Sequence, residues 1–139
     1  SNAMVGTGAA AGGYNRVDTG AVNFKATISY ALTATNAADQ PLIGARPGTG
    51  STGVFFRPKW SSGSRQLVKM VDGVEFVVSG FVVPTAGSAV LTVNGDQITF
   101  AIGASTHTVT YAGQGTQQEL AVGCYGTAAT VDNLTVEAL

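Results

Sequence analysis

Apolar and polar residues alternate along most of the chain, most sharply over residues 91–111, LTVNGDQITFAIGASTHTVTY. Leu91 and Val93 alternate with Thr92 and Asn94. Ile98, Phe100 and Ile102 alternate with Thr99 and Ala101, and Val109 and Tyr111 with Thr108 and Thr110. Strand side chains switch faces at every residue, so each segment has one apolar face. Asn94-Gly95 is a strong hairpin dipeptide, because a type I′ turn needs positive φ at both central positions. A turn there places Leu91 opposite Ile98. A second turn at Ala104-Ser105 places Ile102 opposite His107, Phe100 opposite Val109 and Ile98 opposite Tyr111. One apolar face then crosses three strands, with His107 half-buried at the sheet end.

The same alternation recurs elsewhere. In residues 21–32, Val22, Phe24, Ala26, Ile28, Tyr30 and Leu32 share a face, while Lys25, Thr27 and Ser29 take the other. A helix over 31–38 is weakened by Thr33 and Thr35. Strands are predicted at 41–45, 54–57, 66–71, 74–78, 81–83, 119–125 and 130–138. Asp72-Gly73 joins two of them as a hairpin, and Pro58 ends a strand or puts it on an edge. Turn residues mark loops at 36–40, 46–53, 61–64, 84–88 and 114–118. About ten short strands and almost no helix predict an all-β antiparallel sandwich or barrel.

A chain of 139 residues is read as one β-sandwich domain over 21–139. Residues 1–20 are read as a tag scar, Ser1-Asn2-Ala3, followed by a Gly-rich arm or irregular first edge, with Met4 a candidate native start. A net charge of −1 with 11% charged residues gives no basic stripe for nucleic acid and no polybasic membrane anchor. No apolar run approaches a bilayer span. The single Cys124 excludes an internal disulfide, and its phase with Leu120 and Val122 makes it a buried apolar residue. Gly/Thr-rich, low-charge β chains are associated with extracellular or virion settings.

Three stretches resemble the concanavalin A-like lectin/glucanase jelly rolls, including laminin-G-like domains. They are VNFKATISY followed by PLIGAR and GVFFR, then AVLTVNGDQITFAIGASTHTVTY, then the closing ELAVGCYGTAATVDNLTVEAL. The resemblance covers residues 22–139, on a chain short for the family, so an abbreviated jelly roll is expected. It implies two packed, curved antiparallel sheets, with carbohydrate bound on a concave face or at the loop rim. Some members hold calcium through rim carboxylates, for which Asp18 and Asp132-Asn133 have the chemistry. Turn geometry explains Asp132-Asn133 equally, so no metal or other cofactor is expected.

Catalysis finds little support. The family's retaining glycosidases resemble a strand with Glu-x-Asp-x-x-Glu, supplying the two facing carboxylates that hydrolysis needs. Nothing matches: Asp72 and Glu75 are out of phase, and Glu119 and Glu137 are isolated. No Gly-x-Ser-x-Gly elbow accompanies His107, and no motif orients a base toward Cys124. A non-catalytic module is expected.

The ligand-facing candidates cluster in GVFFRPKW. Phe55 and Arg57 leave the face shared by Val54 and Phe56, and Trp60 follows in a loop, where it could stack on a sugar while arginine bonds hydroxyls. Arg46 and Tyr125 complete the set. The competing reading caps the sandwich with Phe55 and Trp60 or buries them in a homo-oligomer contact. Two functions follow: a carbohydrate-binding or adhesive module with a glycan partner, or a structural assembly protein such as a phage virion component.

Overall fold

The computed structural model describes residues 4–5, 14–32, 40–61, 63–125 and 129–139. These form twelve strands: β1 (Met4–Val5), β2 (Tyr14–Asp18), β3 (Phe24–Ala31), β4 (Gln40–Ala45), β5 (Val54–Ser61), β6 (Ser64–Val71), β7 (Val74–Val78), β8 (Ala86–Asn94), β9 (Gln97–Ile102), β10 (Ser105–Thr110), β11 (Glu119–Tyr125) and β12 (Thr130–Ala138). They build two antiparallel six-stranded sheets, in the orders β1-β12-β3-β8-β9-β10 and β2-β11-β4-β5-β6-β7.

The alternation decides which faces meet. On β3, Phe24, Ala26, Ile28 and Tyr30 are buried while the residues between them are partly exposed. The second sheet answers with Ile43, Ala45, Val54, Phe56, Leu67, Leu120 and Val122. Phe56 of β5 stacks on Phe100 of β9, with ring centroids 4.8 Å apart and planes at 8°. Two sheets packed face to face in this way form a sandwich.

The meander has the expected faces but a different register. Asn94 pairs with Gln97, so Leu91 lies opposite Phe100 rather than Ile98. Ser105 pairs with Ile102, so His107 also faces Phe100. The turns are Gly95-Asp96 and Gly103-Ala104, one residue from the expected sites. Each has a glycine at its first central position, Gly95 at φ 56° and Gly103 at φ 57°, as a type II′ turn requires. Moving a turn by one residue slips the register by two, and a two-residue slip returns every side chain to its own face. At the β6–β7 hairpin, Asp72 (φ 48°) and Gly73 (φ 83°) both take positive φ, and Val71 pairs with Val74 as expected.

Several sequence expectations need correction. Residues 14–18, read within the arm or irregular first edge, form β2, which pairs with β11. Residues 81–83 are not a strand, although Phe81 and Val83 are buried. β8 begins at Ala86, inside the expected 84–88 loop. Asp132 and Asn133 lie within β12, as the 130–138 strand expectation has it, at a bulge where Asn133 has φ 53° and donates its N–H to Asp132 Oδ1 at 2.7 Å. Ala31 belongs to β3, and residues 33–38 of the suggested helix lie outside the described residues.

Candidate functional site

Because Phe56 points between the sheets, its neighbours Phe55, Arg57 and Lys59 point to the outer face of the second sheet. Pairing sets Met70 beside Phe55, Val68 beside Arg57 and Gln66 beside Lys59; β7 then adds Glu75 next to Met70 and Val77 next to Val68.

This outer face has two zones. Toward β11 it is apolar: Phe55 is fully buried with Leu42 and Ala121, and Tyr14 and Met70 pack against them. The Phe55 ring lies across Gly44, where an added Cβ would sit 2.6 Å from Phe55 Cδ1. It also meets the Tyr14 ring at 5.3 Å. Toward β7 the face is polar. Arg57 donates to Gln40 Oε1 at 3.2 Å and to the Glu75 carboxylate. The cation is largely covered, 11% exposed, whereas the Glu75 side chain is 55% exposed. A shallow pocket of about 210 Å³ opens here, lined by Lys59, Gln66, Val68, Glu75, Phe76 and Val77. Donors, acceptors and an apolar floor thus share one sheet face.

Of the five candidates named from sequence, Arg57 alone joins this zone among those whose side chains are described. Phe55 is buried beneath the adjoining apolar zone. Trp60 is on a strand, not in a loop, because β5 runs through Pro58 to Ser61. β4 pairs β5 only as far as Phe56, so the missing Pro58 N–H breaks no ladder bond on that side. Alternation then turns Trp60, half-buried opposite Arg65, away from Arg57. The side chain of Tyr125 lies outside the described residues.

Arg46, the fourth candidate, is held inside the sandwich rather than on this face. It is 1% exposed, has φ 54°, and donates to the carbonyls of Tyr111 and Gly95. Its Nη1 lies 3.7 Å from Asp96 Oδ1. It ties the end of β4 to the β8–β9 turn and to the chain leaving β10. The Asn-Gly-Asp tip is therefore structural.

Gln40, Lys59, Gln66, Val68, Glu75 and Val77 were missed. The usable signal was the Asp72-Gly73 turn, whose register carries Glu75 onto the face of Arg57. The remaining chemistry lies elsewhere. Asp72 accepts from Tyr111 Oη at 2.7 Å and from the Gly53 N–H at 3.0 Å, and both bonds hold its carboxyl below the usual range. Burial pushes the Cys124 thiol up. Among the described residues no three His, Cys, Asp or Glu side chains stand together as a metal site.

No protein-family model and no curated protein matches the sequence. Solved structures do match the fold. A tetrameric galectin from Cinachyrella sp. superposes with TM-score 0.65 at 11% identity, over 88% of this chain and 98% of that one. The carbohydrate-binding module CBM66 from Bacillus subtilis gives 0.61 at 11%, over 93% and 84%. Lactose- and MES-liganded congerin II gives 0.61 at 12%, over 89% and 99%. The architecture is the concanavalin A-like jelly roll that the sequence resembles.

Proposed function

We propose that this chain is a non-catalytic carbohydrate-binding module that takes a saccharide on the outer face of its second sheet, over β5–β7. The observation that carries this reading is the polar zone around the Arg57–Glu75 pair. Glu75, anchored by Arg57 yet open to solvent, accepts from sugar hydroxyls. Lys59 and Gln66 donate to ring and hydroxyl oxygens, and Val68 and Val77 take an apolar sugar face. Such a mix of a few placed polar groups on an apolar floor is what small-molecule sites use. Glu75 is the one carboxylate lining this pocket, whereas glycoside hydrolysis ordinarily needs a facing pair. The fold neighbours support the reading, since a galectin and a carbohydrate-binding module are among them.

A glycan array followed by NMR titration tests it. Binding should perturb amides of β5–β7, and Glu75→Ala should weaken it roughly tenfold, the loss of one charge-assisted bond. A silent array, or perturbations confined to the first sheet, would sink the proposal.

A second reading, assembly through sheet edges, is favoured by one observation. β7 is an edge strand whose Val74, Phe76 and Val77 are 56%, 47% and 60% exposed. Solution mass by light scattering separates the two: a monomer leaves the saccharide reading standing, and a stable oligomer favours assembly.

A further inference from the structure

On the same side of the sandwich as β7, but between the sheets rather than on the outer face, lies a second pocket of about 300 Å³. The 78–81 turn and the β9–β10 hairpin line it, contributing Ser79, Phe81, Ser105, Thr106 and His107. Lys69 of β6 reaches across to His107 of β10, with Nζ 3.0 Å from Nε2. A lysine ammonium has only protons to offer, so the imidazole accepts at Nε2 and carries its own proton on Nδ1. That N–H has no hydrogen-bond partner among the described residues. Ser105 Oγ accepts from the Val82 N–H at 3.1 Å, which leaves its hydroxyl proton free to donate.

Charge points the same way. Three ion pairs, Arg16–Glu119, Arg46–Asp96 and Arg57–Glu75, hold the described carboxylates that meet a cation. Lys69 is in none of them; besides His107 it meets the Phe76 ring, 5.4 Å from the centroid. The charged group facing His107 is Lys69, from β6; the contacts from β9 and from the 78–81 turn are uncharged. The pocket lining therefore gathers donors and no carboxylate, with the Lys69 ammonium bonded to the imidazole behind it.

The geometry points to an oxyanion site, for a carboxylate or sulfate group, in which His107, Ser105 and Ser79 donate while Lys69 supplies charge behind the imidazole. A bound anion would also offset the repulsion between Lys69 and a charged ring, so binding draws a proton onto His107 Nε2 as that nitrogen gives up its bond to Lys69. The site is separate from the saccharide face, and either can fail without the other.

The test is an NMR titration of the His107 ring protons with pH in sodium sulfate, and in sodium chloride at matched ionic strength. Sulfate should saturate and raise the His107 pKa further than chloride does. Lys69→Met should weaken sulfate binding by roughly tenfold or more, and Ser105→Ala provides a second, milder weakening. Glucuronate and glucose are the source arms. Glucuronate binding here without glucose assigns the group to an acidic sugar, and sulfate binding without glucuronate assigns it to the inorganic ion. Equal, non-saturating shifts in chloride and sulfate, or an unchanged response in Lys69→Met, would overturn the proposal.

Discussion

Arg46 shows how much one side chain can hold. Its guanidinium satisfies the carbonyls of Tyr111 and Gly95, two groups far from it in sequence. Removing it strands the Tyr111 carbonyl at a buried position, and a buried unsatisfied polar group costs about 1–3 kcal/mol; the Gly95 carbonyl, in an exposed turn, turns to water. Arg46→Met is therefore expected to lower unfolding free energy by about 1–3 kcal/mol in urea titration, with little change in the fold's circular dichroism. Tyr30 and Tyr111 give a pH signature. Burial lifts both phenols to about 12; Arg65 works against this at Tyr30, and the bond to Asp72 adds to it at Tyr111. A folded pKa above the unfolded value of 10.0 means a contribution fully present below that pH. It is lost as pH climbs from there to about 12. Stability should fall across this window, and a phenolate absorbance titration should show two late phenols, one of which Tyr30→Phe removes. Neither role was visible in the sequence. An arginine beside Pro47-Gly48 reads as a solvated loop residue, because acceptors arriving from other turns leave no local trace.

At the level of strands, β4 and β5 depart from the rule that one face is wet. Gly44 lies flat under the Phe55 ring, with Val54 O only 2.8 Å from where its Cβ would be. Gly44→Ala must push that ring or the strand aside, and overpacking of this kind costs about 1–3 kcal/mol; thermal denaturation should register the loss. This double burial also explains what could and could not be read in advance. β3 and the β8–β9–β10 meander have one dry face each, so period-two alternation exposed them, and their residue faces survived even where the turns moved by one position. β5 has an apolar residue on each face, so Phe55 looked like an aromatic seeking a ligand when it was filling a second small core. Of the two readings of Pro58, a strand end or an edge position, the edge holds, because β4 stops pairing at Phe56, a fact of tertiary pairing the sequence does not carry. Glu75 reads from sequence only as a carboxylate out of phase with Asp72, since its partnership with Arg57 exists only once β6 lies between β5 and β7.

For the molecule as a whole, the β7 edge is the exposed liability. Edge strands are commonly guarded by proline, lysine or a bulge. β7, VEFVV, has neither proline nor lysine, and its one charge is occupied by Arg57. Val77→Lys is expected to raise solubility and to shift any concentration-dependent mass in light scattering toward the monomer, with little loss of stability because Val77 is 60% exposed. The order of strands has a consequence for how the chain is made. β12 is inserted between β1 and β3, and β11 between β2 and β4. During synthesis the early strands therefore wait, each sheet with a vacant lane, while the β5–β7 and β8–β10 hairpins can already close on neighbours in sequence. Only when the last two strands are available can they fill those lanes and hold β1 and β2 at the sheet edges. Folding of this domain thus waits on its last two strands, and deleting β12 should unseat β1 from its sheet.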